Sequence, residues 1–387
     1  MYDVVIAGAG LAGLQTARLL AARGARVLLA DPRNSVCERI RTTGIFVRKT
    51  WEDFPILDEQ LGPAIRHVTL YSPARRPLQL AAAKPEFRVG RMDWIYLRLL
   101  DQCARHGVAW RPSTRVVASG PDGVVLERSR HRQTVRARFI VGADGARSAI
   151  ARQLGLDQNS EFLAGVEDVV PSSSPDAPAL HCFLDPRLAP GYMAWIVDDG
   201  QEAHVGVAGS GNRYHPAAAL EAFKRSIAAS FPSMMRKPLE RRGGLIPVNG
   251  VLRRIGNERG LLVGDAAGAV SPLTAGGLDA AMRLSAFAAD VIAQYLETGD
   301  PAVLREYSGH RFRPRFAARR FMRRAIQAID HPLLAEIGCA LLRTPPLRAL
   351  AWHVFFSRSS FPDARIRWGA GACPERSRRA LAAANRG

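Results

Sequence analysis

The chain has 387 residues, 47% hydrophobic and 23% charged, so it has the material for a real core and is neither disordered nor a small module. Its formal charge is +19, and the excess is uneven: residues 301–387 hold 17 arginines against five acids. The rest is only mildly basic, which argues against nucleic acid as a partner and marks the C-terminal part as the candidate for an anionic surface.

The five cysteines, Cys37, Cys103, Cys182, Cys339 and Cys373, form no C-x-x-C, and the nine histidines are scattered. That pattern excludes a disulfide scaffold and a regularly spaced metal site, so no metal is expected. It suits a reducing cytoplasm. No apolar run approaches the ~18 residues that span a bilayer, and no signal segment is expected ahead of the first strand.

In chain order, Val4–Ala7 reads as a buried parallel strand, and Gly8-Ala9-Gly10-Leu11-Ala12-Gly13 follows it. Leu14, Ala17, Leu20 and Ala21 then recur at helical spacing, and residues 26–30 form a second strand with Asp31 at its end. Residues 92–105 predict a helix with Trp94, Leu97, Leu100 and Ala104 on its apolar stripe. Phe139-Ile140-Val141 is a buried strand that runs into Gly142-Ala143-Asp144-Gly145. Residues 156–247 read mainly as strands, with one helix near 217–229. Leu261-Leu262-Val263 runs into Gly264-Asp265-Ala266-Ala267-Gly268, and a small-residue helix covers about 277–297. The fold class is α/β with an inserted β-rich part: a Rossmann-like nucleotide-binding domain over 1–50, 88–155 and 253–300. The substrate domain takes 51–87 and 156–252, a basic helical region 301–368, and a poorly ordered tail 369–387.

The spacing Gly8, Gly10, Gly13 places a tight turn, an open approach for a pyrophosphate, and a close helix–strand contact in sequence. The helix start supplies free N–H groups and a positive dipole to the phosphates. Asp31 stands at a strand end, where it can accept from ribose hydroxyls and repel a 2′-phosphate. That motif does not separate NAD from FAD. Gly264-Asp265 at a strand end, followed by Pro272-Leu273-Thr274-Ala275-Gly276-Gly277-Leu278 at a helix start, resembles the second FAD fingerprint of the aromatic-hydroxylase and geranylgeranyl-reductase superfamily, which implies FAD. An acid suits a polyol, and a helix N-terminus stabilises negative charge on a reduced ring.

These motifs, in this order over about 300 residues, resemble those of the aromatic-hydroxylase and geranylgeranyl-reductase superfamily of FAD enzymes. The resemblance implies that Gly8, Ala9, Gly10, Ala12, Gly13, Asp31, Arg33, Arg41, Arg91, Val117, Asp144, Gly145, Gly264, Asp265, Pro272, Gly276, Gly277 and Leu278 bind FAD. Arg91 matches the family's arginine before a helix, and reads equally as a surface arginine. Tyr192-Met193-Ala194-Trp195-Ile196-Val197 and the later Val205-Gly206-Val207 are similar to the prenyl-tunnel strands of geranylgeranyl reductases. Here Met193 stands where that family has Tyr, Tyr192 is one residue early, and Val197-Asp198 replaces Phe-Pro. Tryptophan halogenases carry W-x-W-x-I-P on the same strand, and this chain lacks its first Trp and its Ile-Pro. The implied substrate-binding residues are Tyr192, Met193, Trp195 and Val197, and the competing reading is a plain core strand.

The implied activity is flavin-dependent reduction of an isoprenoid double bond, with NAD(P)H or a ferredoxin-like protein as electron donor. The alternatives are a monooxygenase or halogenase, a carotenoid cyclase-like enzyme, and a non-catalytic flavin-binding adaptor. Cys37 is out of register with the reductases' Cys-Gly-Gly element and reads as a structural thiol. No residue identifies itself as the catalytic acid. Arg313, Arg315, Arg319, Arg320, Arg323 and Arg324 surround a stripe of Ala318, Met322, Ala325 and Ile329. This helix reads either as lying on an anionic membrane or as packed on the core with solvated arginines.

Overall fold

A computed structural model describes residues 1–120, 123–172 and 178–357. The expected tail 369–387 and residues 358–368 lie outside the described residues. The strand Tyr2–Ala7 sits at the centre of a five-stranded parallel sheet. Its order is Gly260–Leu262, Ala137–Gly142, Tyr2–Ala7, Val27–Ala30, Ala109–Arg111. Val4, Val5 and Ile6 are wholly buried, as a strand covered on both faces requires. Helix Leu11–Ala21 is buried along its whole length. It packs against helices Met92–Arg105 and Leu278–Thr298. The small residues Ala280, Ala281, Ala288 and Ala289 let that last helix come close. An antiparallel meander of Arg115–Gly120, Gly123–Arg128 and His131–Val135 joins the same core through Val116, Val124 and Leu126.

The face of helix Met92–Arg105 differs from the expected stripe. Met92, Ile95, Tyr96, Leu99 and Cys103 are buried, whereas Trp94 and Leu97 are about half exposed. The fold rotates the helix to put a tyrosine and a cysteine against the neighbouring helix, and the nominally more apolar pair faces out.

A second, seven-stranded sheet holds the β-rich part. Its order is Glu240–Pro247, Phe162–Pro171, Glu202–Gly209, Ala194–Asp198, Ala179–Phe183, His67–Tyr71, Pro77–Ala81. All neighbours are antiparallel except Ala179–Phe183 with His67–Tyr71. Alternation sorts its residues. Ala194, Ile196, Ala203, Val205 and Val207 pack under helix Pro216–Ile227. Trp195, Val197, Cys182, Glu167, His204 and Gly206 share the opposite face by register. Part of that face is apolar and is covered by Ala351 and Phe356 of helix Pro345–Phe356.

The C-terminal region is not separate at its start. Val303, Leu304, Tyr307, Phe312 and Phe316 belong to the parallel-sheet core. Tyr307 Oη donates to Leu262 O at 2.7 Å from a fully buried position. Helix Ala317–Gln327 is rotated off the expected stripe, of which Met322 and Ile329 are half-buried. Arg323 is buried and Arg319 partly so, whereas Ala318 and Ala325 are exposed. The inward arginines are held by carbonyl and hydroxyl acceptors: Arg323 donates to Gly191 O and Pro272 O, both at 3.4 Å, and Arg319 to Ser271 Oγ at 3.3 Å. Tyr307→Phe should leave the Leu262 carbonyl unmatched and lower unfolding free energy by about 1–3 kcal/mol. Urea melts of wild type and variant check this; an unchanged midpoint would detach this region from the core.

Candidate functional site

Gly8 and Gly13 close the turn at the end of the first strand. Gly8 has φ +105, and a Cβ there would meet Ala143 O at 2.3 Å; a Cβ on Gly13 would meet Gly8 O at 1.8 Å. Gly10 is different: nothing lies within 4 Å of where its Cβ would stand. It forms the N-cap of helix Leu11–Ala21 in extended conformation, with no side chain capping the helix. The helix therefore presents open N–H groups behind a bare backbone, a cradle shaped for a pyrophosphate. Ala9 and Ala12 lie in the same turn and are buried.

Asp31 lies at the end of Val27–Ala30 as expected, but its oxygens are engaged. Oδ2 accepts from Ala9 N at 2.6 Å and from Arg33 Nη2 at 2.9 Å; Oδ1 accepts from Arg33 N and Nε at 2.9 and 2.8 Å. Burial pushes this carboxyl up, but the Arg33 bonds and the Ala9 N–H outweigh it and hold it below the usual range. A ribose hydroxyl reaches Asp31 only by taking the place of an Arg33 N–H. Arg33 also donates to Val36 O and Glu38 O, so here it orders the loop after the strand.

Asp144 acts locally. Ser148 Oγ donates to Oδ1 at 2.5 Å, and Ala149 N and Ile150 N to Oδ2 at 2.7 and 3.1 Å, so the carboxylate covers the start of helix Ala149–Gln153. Burial raises its pKa all the same. Gly145 beside it has open space where a side chain would be. Arg91 sits before helix Met92–Arg105, its guanidinium 5.0 Å over the Trp94 ring. Val117 lies at a bulge, where its carbonyl accepts from Gln153 Nε2 at 3.1 Å. Arg41 is exposed, and its Cδ is 3.5 Å from the Cβ position of Gly244. Cys37 is partly buried, with Asp93 O 3.8 Å from its Sγ.

Asp265 is the acid that stays unspent. Its carboxylate makes no hydrogen bond or ion pair among the described residues, and burial pushes its pKa up to about 6. A side chain begun at Gly277 would start 3.6 Å from Asp265 Oδ1, so acid and helix start converge. Gly277 caps helix Leu278–Thr298, preceded by Pro272 and Gly276. Asn159, which the sequence reading did not single out, ties the two acid loops together. Its Nδ2 donates to Ala146 O at 2.9 Å and Asp265 O at 2.8 Å. A lone polar residue in a loop gives no sequence signal for this.

On the second sheet, Tyr192 Oη donates to Thr274 O at 2.7 Å, which joins the sheet to the loop before the helix start. Trp195 packs in one cluster with Tyr192 and Ala275 and in another with Met193 and Val197. Its ring lies across Gly206: a Cβ there would meet Trp195 Cζ2 at 2.3 Å and Glu167 Cβ at 2.9 Å. The Val-Gly-Val sequence thus makes room for the indole. Cys182 is Trp195's cross-strand neighbour, its thiol pushed up to about 12 by burial. The sequence reading missed Glu167, Thr43, His204 and Arg242, which cluster beside Trp195. The signal available was an acid pair inside the apolar strand Phe162–Pro171. The chain segment 199–204 also brings one ligand-type atom each of Asp199, Glu202 and His204 within 4.8 Å of one another.

The parallel sheet, the bare helix start at Gly10 and the unspent acid at a second helix start define a dinucleotide-binding flavoprotein. The sequence profile of the FAD binding domain family matches residues 1–324, and the chain belongs to that family. It is 27% identical over 318 residues to a digeranylgeranylglycerophospholipid reductase of Methanocella arvoryzae, covering 77% of this chain and 79% of that protein. In structure it is similar to a geranylgeranyl bacteriochlorophyll reductase-like protein of Thermoplasma acidophilum, with TM-score 0.77 at 19% identity. That match covers 92% of this chain and 97% of the other. It is also similar to a flavin-dependent brominase, with TM-score 0.69 at 16% identity over 100% and 99% of the two chains. The latter two likenesses show the fold. The chain is an FAD-dependent oxidoreductase related to the geranylgeranyl reductases.

The donor set fits FAD: open N–H groups for the pyrophosphate and an unspent acid for the ribityl hydroxyls. Those hydroxyls donate to the charged acid, so cofactor affinity should rise as pH climbs through about 6, by about tenfold between pH 5 and 7. Titrating apoprotein with FAD across that range checks it, and Asp265→Asn should weaken binding and flatten the curve. Gly10→Val in the same assay should keep its melting temperature and lose FAD, because its side chain enters open space rather than packed atoms.

Proposed function

We propose that this protein reduces a carbon–carbon double bond of an isoprenoid or prenyl-lipid chain with electrons from reduced FAD, supplied by NAD(P)H or a ferredoxin-like donor. The observation that carries this reading is the apolar wall of Met193, Trp195 and Val197, which runs on through Leu180, Cys182 and Leu70 of the neighbouring strands. Such a wall offers area and no ion partner, which suits a long uncharged chain better than an aromatic acid. When bound, FAD supplies the hydride chemistry. The protein's part is to hold the chain against Trp195, to exclude water, and to set the second sheet against the helix start through Tyr192 and Thr274.

The C-terminal helices add a route for a lipid. Leu333, Leu334, Ile337 and Leu341 are exposed on helix Pro332–Leu341, and Leu350 and Trp352 on helix Pro345–Phe356, whose Phe356 covers the apolar wall. Arg315, Arg324 and Arg348 of the same C-terminal region are also exposed. No helix among the described residues is long and apolar enough to cross a membrane. The surface suits peripheral contact with an anionic bilayer. Sedimentation with anionic vesicles, weakened by salt and abolished by Leu334→Glu with Ile337→Glu, is expected; recovery of wild type in the supernatant ends this part of the proposal.

Anaerobic incubation of photoreduced holoprotein with a prenyl-lipid extract tests the reaction itself. A lipid that gains two hydrogens per double bond while FAD reoxidises is the expected result. Product formation only with oxygen would favour a monooxygenase or halogenase, and bound FAD with no substrate-dependent reoxidation an adaptor. Gly206→Ala should displace the indole, keep FAD, and slow lipid-dependent reoxidation about tenfold or more. Joint loss of fold and flavin would make this strand structural.

A further inference from the structure

Two adjacent acids on strand Phe162–Pro171 face opposite sides of the sheet. Asp168 is fully matched: Lys224 Nζ donates at 2.8 Å, and Arg241 Nε and Nη2 at 2.7 and 3.0 Å. Glu167 is not. Its Oε2 accepts from Thr43 Oγ1 at 2.6 Å, but Oε1 has no hydrogen-bond partner. His204 Nδ1, equally unmatched, lies 3.6 Å from it, and Trp195 Nε1 is a third sealed and unmatched atom. Glu167 and His204 are each at least 95% buried. Three such atoms in one cluster call for a functional reason, because buried polar groups are otherwise paired.

The cluster stands where chemistry on a bound chain would occur. Thr43 lies in the segment that leads to Ile45–Val47, and Trp195 shares a cluster with Ala275 of the loop before helix Leu278–Thr298. Glu167 is therefore bonded to the segment before Ile45–Val47 and lies beside Trp195, which packs with the loop before the helix start at Gly277. On its other side, His204 comes within 4.8 Å of Asp199 and Glu202, and Glu202 is partly exposed next to the exposed Gly200 and Gln201. The four groups make a path from the sheet interior to solvent.

We propose that the Glu167–His204 pair holds the proton that completes reduction of the double bond, and that Asp199 and Glu202 resupply it from solvent. This rests on the reductase reading above. One alkene carbon receives a hydride, with both electrons, from reduced FAD, which returns to its oxidised form. The other carbon receives the proton through Glu167, and the pair recovers one proton from water by way of Glu202 and Asp199. The two carbons thus gain two hydrogens and the charges balance. Trp195, which lies across Gly206 beside Glu167, shields the pair on the side of the apolar wall.

The surroundings keep the Glu167 side of the pair ionised, so the carboxylate relays a proton rather than holding one. Burial pushes the Glu167 carboxyl up, but His204, Thr43 and Arg242 outweigh it and hold it below the ordinary range. Arg242 Nη1 lies 3.8 Å from Oε1, while its guanidinium is bonded to Thr42 O and Glu240. The other charged or titratable groups around the pair are Asp199, Glu202 and Cys182, with Arg41 beside Gly244 two residues beyond Arg242.

Single-turnover reoxidation of photoreduced holoprotein by the prenyl-lipid extract, read from pH 5.5 to 9, tests the proposal on Glu167→Gln and His204→Gln. Each variant should lose roughly a hundredfold or more in lipid-dependent reoxidation and lose the wild-type pH profile. FAD content and reoxidation by air, which needs no such acid, should be unchanged. A Glu167→Gln enzyme within threefold of wild type, with the same profile, overturns the proposal. If wild type itself reduces no lipid, the reductase reading fails, and infrared titration of the apoprotein still decides on the pair. Glu167 should then stay ionised below the usual carboxyl range and return to it in His204→Gln. Titration in the usual range in wild type overturns the relay whatever the substrate.

Discussion

The contact between Gly13 and the Gly8 carbonyl is the constraint on which the arrangement rests. There is no room for a single carbon between them, nor between Gly8 and Ala143. That closeness seats the first helix directly on the first strand and brings the strand Ala137–Gly142 alongside. With that helix so placed, helix Leu278–Thr298 packs across it, and its own N-terminus points Gly277 at Asp265. The two helix starts that suit the phosphates and the ring are thus positioned by backbone packing, not by any side chain that binds.

The second sheet uses the alternation of a β-strand to separate a plain apolar interface from a mixed face. One face is a plain apolar interface with helix Pro216–Ile227. The other begins apolar at Leu70 and Cys182, passes through Trp195 over a glycine, and becomes polar at Glu167 and Arg242. The gradient runs across strands rather than along any one of them. A long chain bound along the apolar part would end with one section beside polar groups, which is the geometry a selective reaction on a uniform chain requires.

Local patterns were legible where backbone and spacing carry the information. The glycine fingerprint, the three strand-end acids and the long small-residue helix all lie within short windows, and each corresponds to an element of the structure. What the sequence hid was use. Asp31 and Asp144 look alike as strand-end acids, yet one holds Arg33 and the other covers a short helix, and only Asp265 is left unpaired. Helix Met92–Arg105 turned a face with Tyr96 and Cys103 inward because neighbouring helices, not hydrophobicity alone, choose the side. Arg319 and Arg323 found carbonyls and a serine to hold them inside. The Glu167–His204 pair is a product of register between strands far apart in the chain, which no local window contains.

The parallel pairing of His67–Tyr71 with Ala179–Phe183 has a meaning for how the chain comes together. Those strands are separated by more than a hundred residues, and that stretch includes two strands of the parallel sheet, the antiparallel meander and helix Met92–Arg105. The β-rich part therefore has no complete sheet until the nucleotide-binding part between its two segments has closed the gap. Contacts of such long sequence separation carry a high loop-closure entropy and form late. The apolar wall is thus assembled on a finished nucleotide-binding part, and the β-rich part is not a module that could be cut out and folded alone.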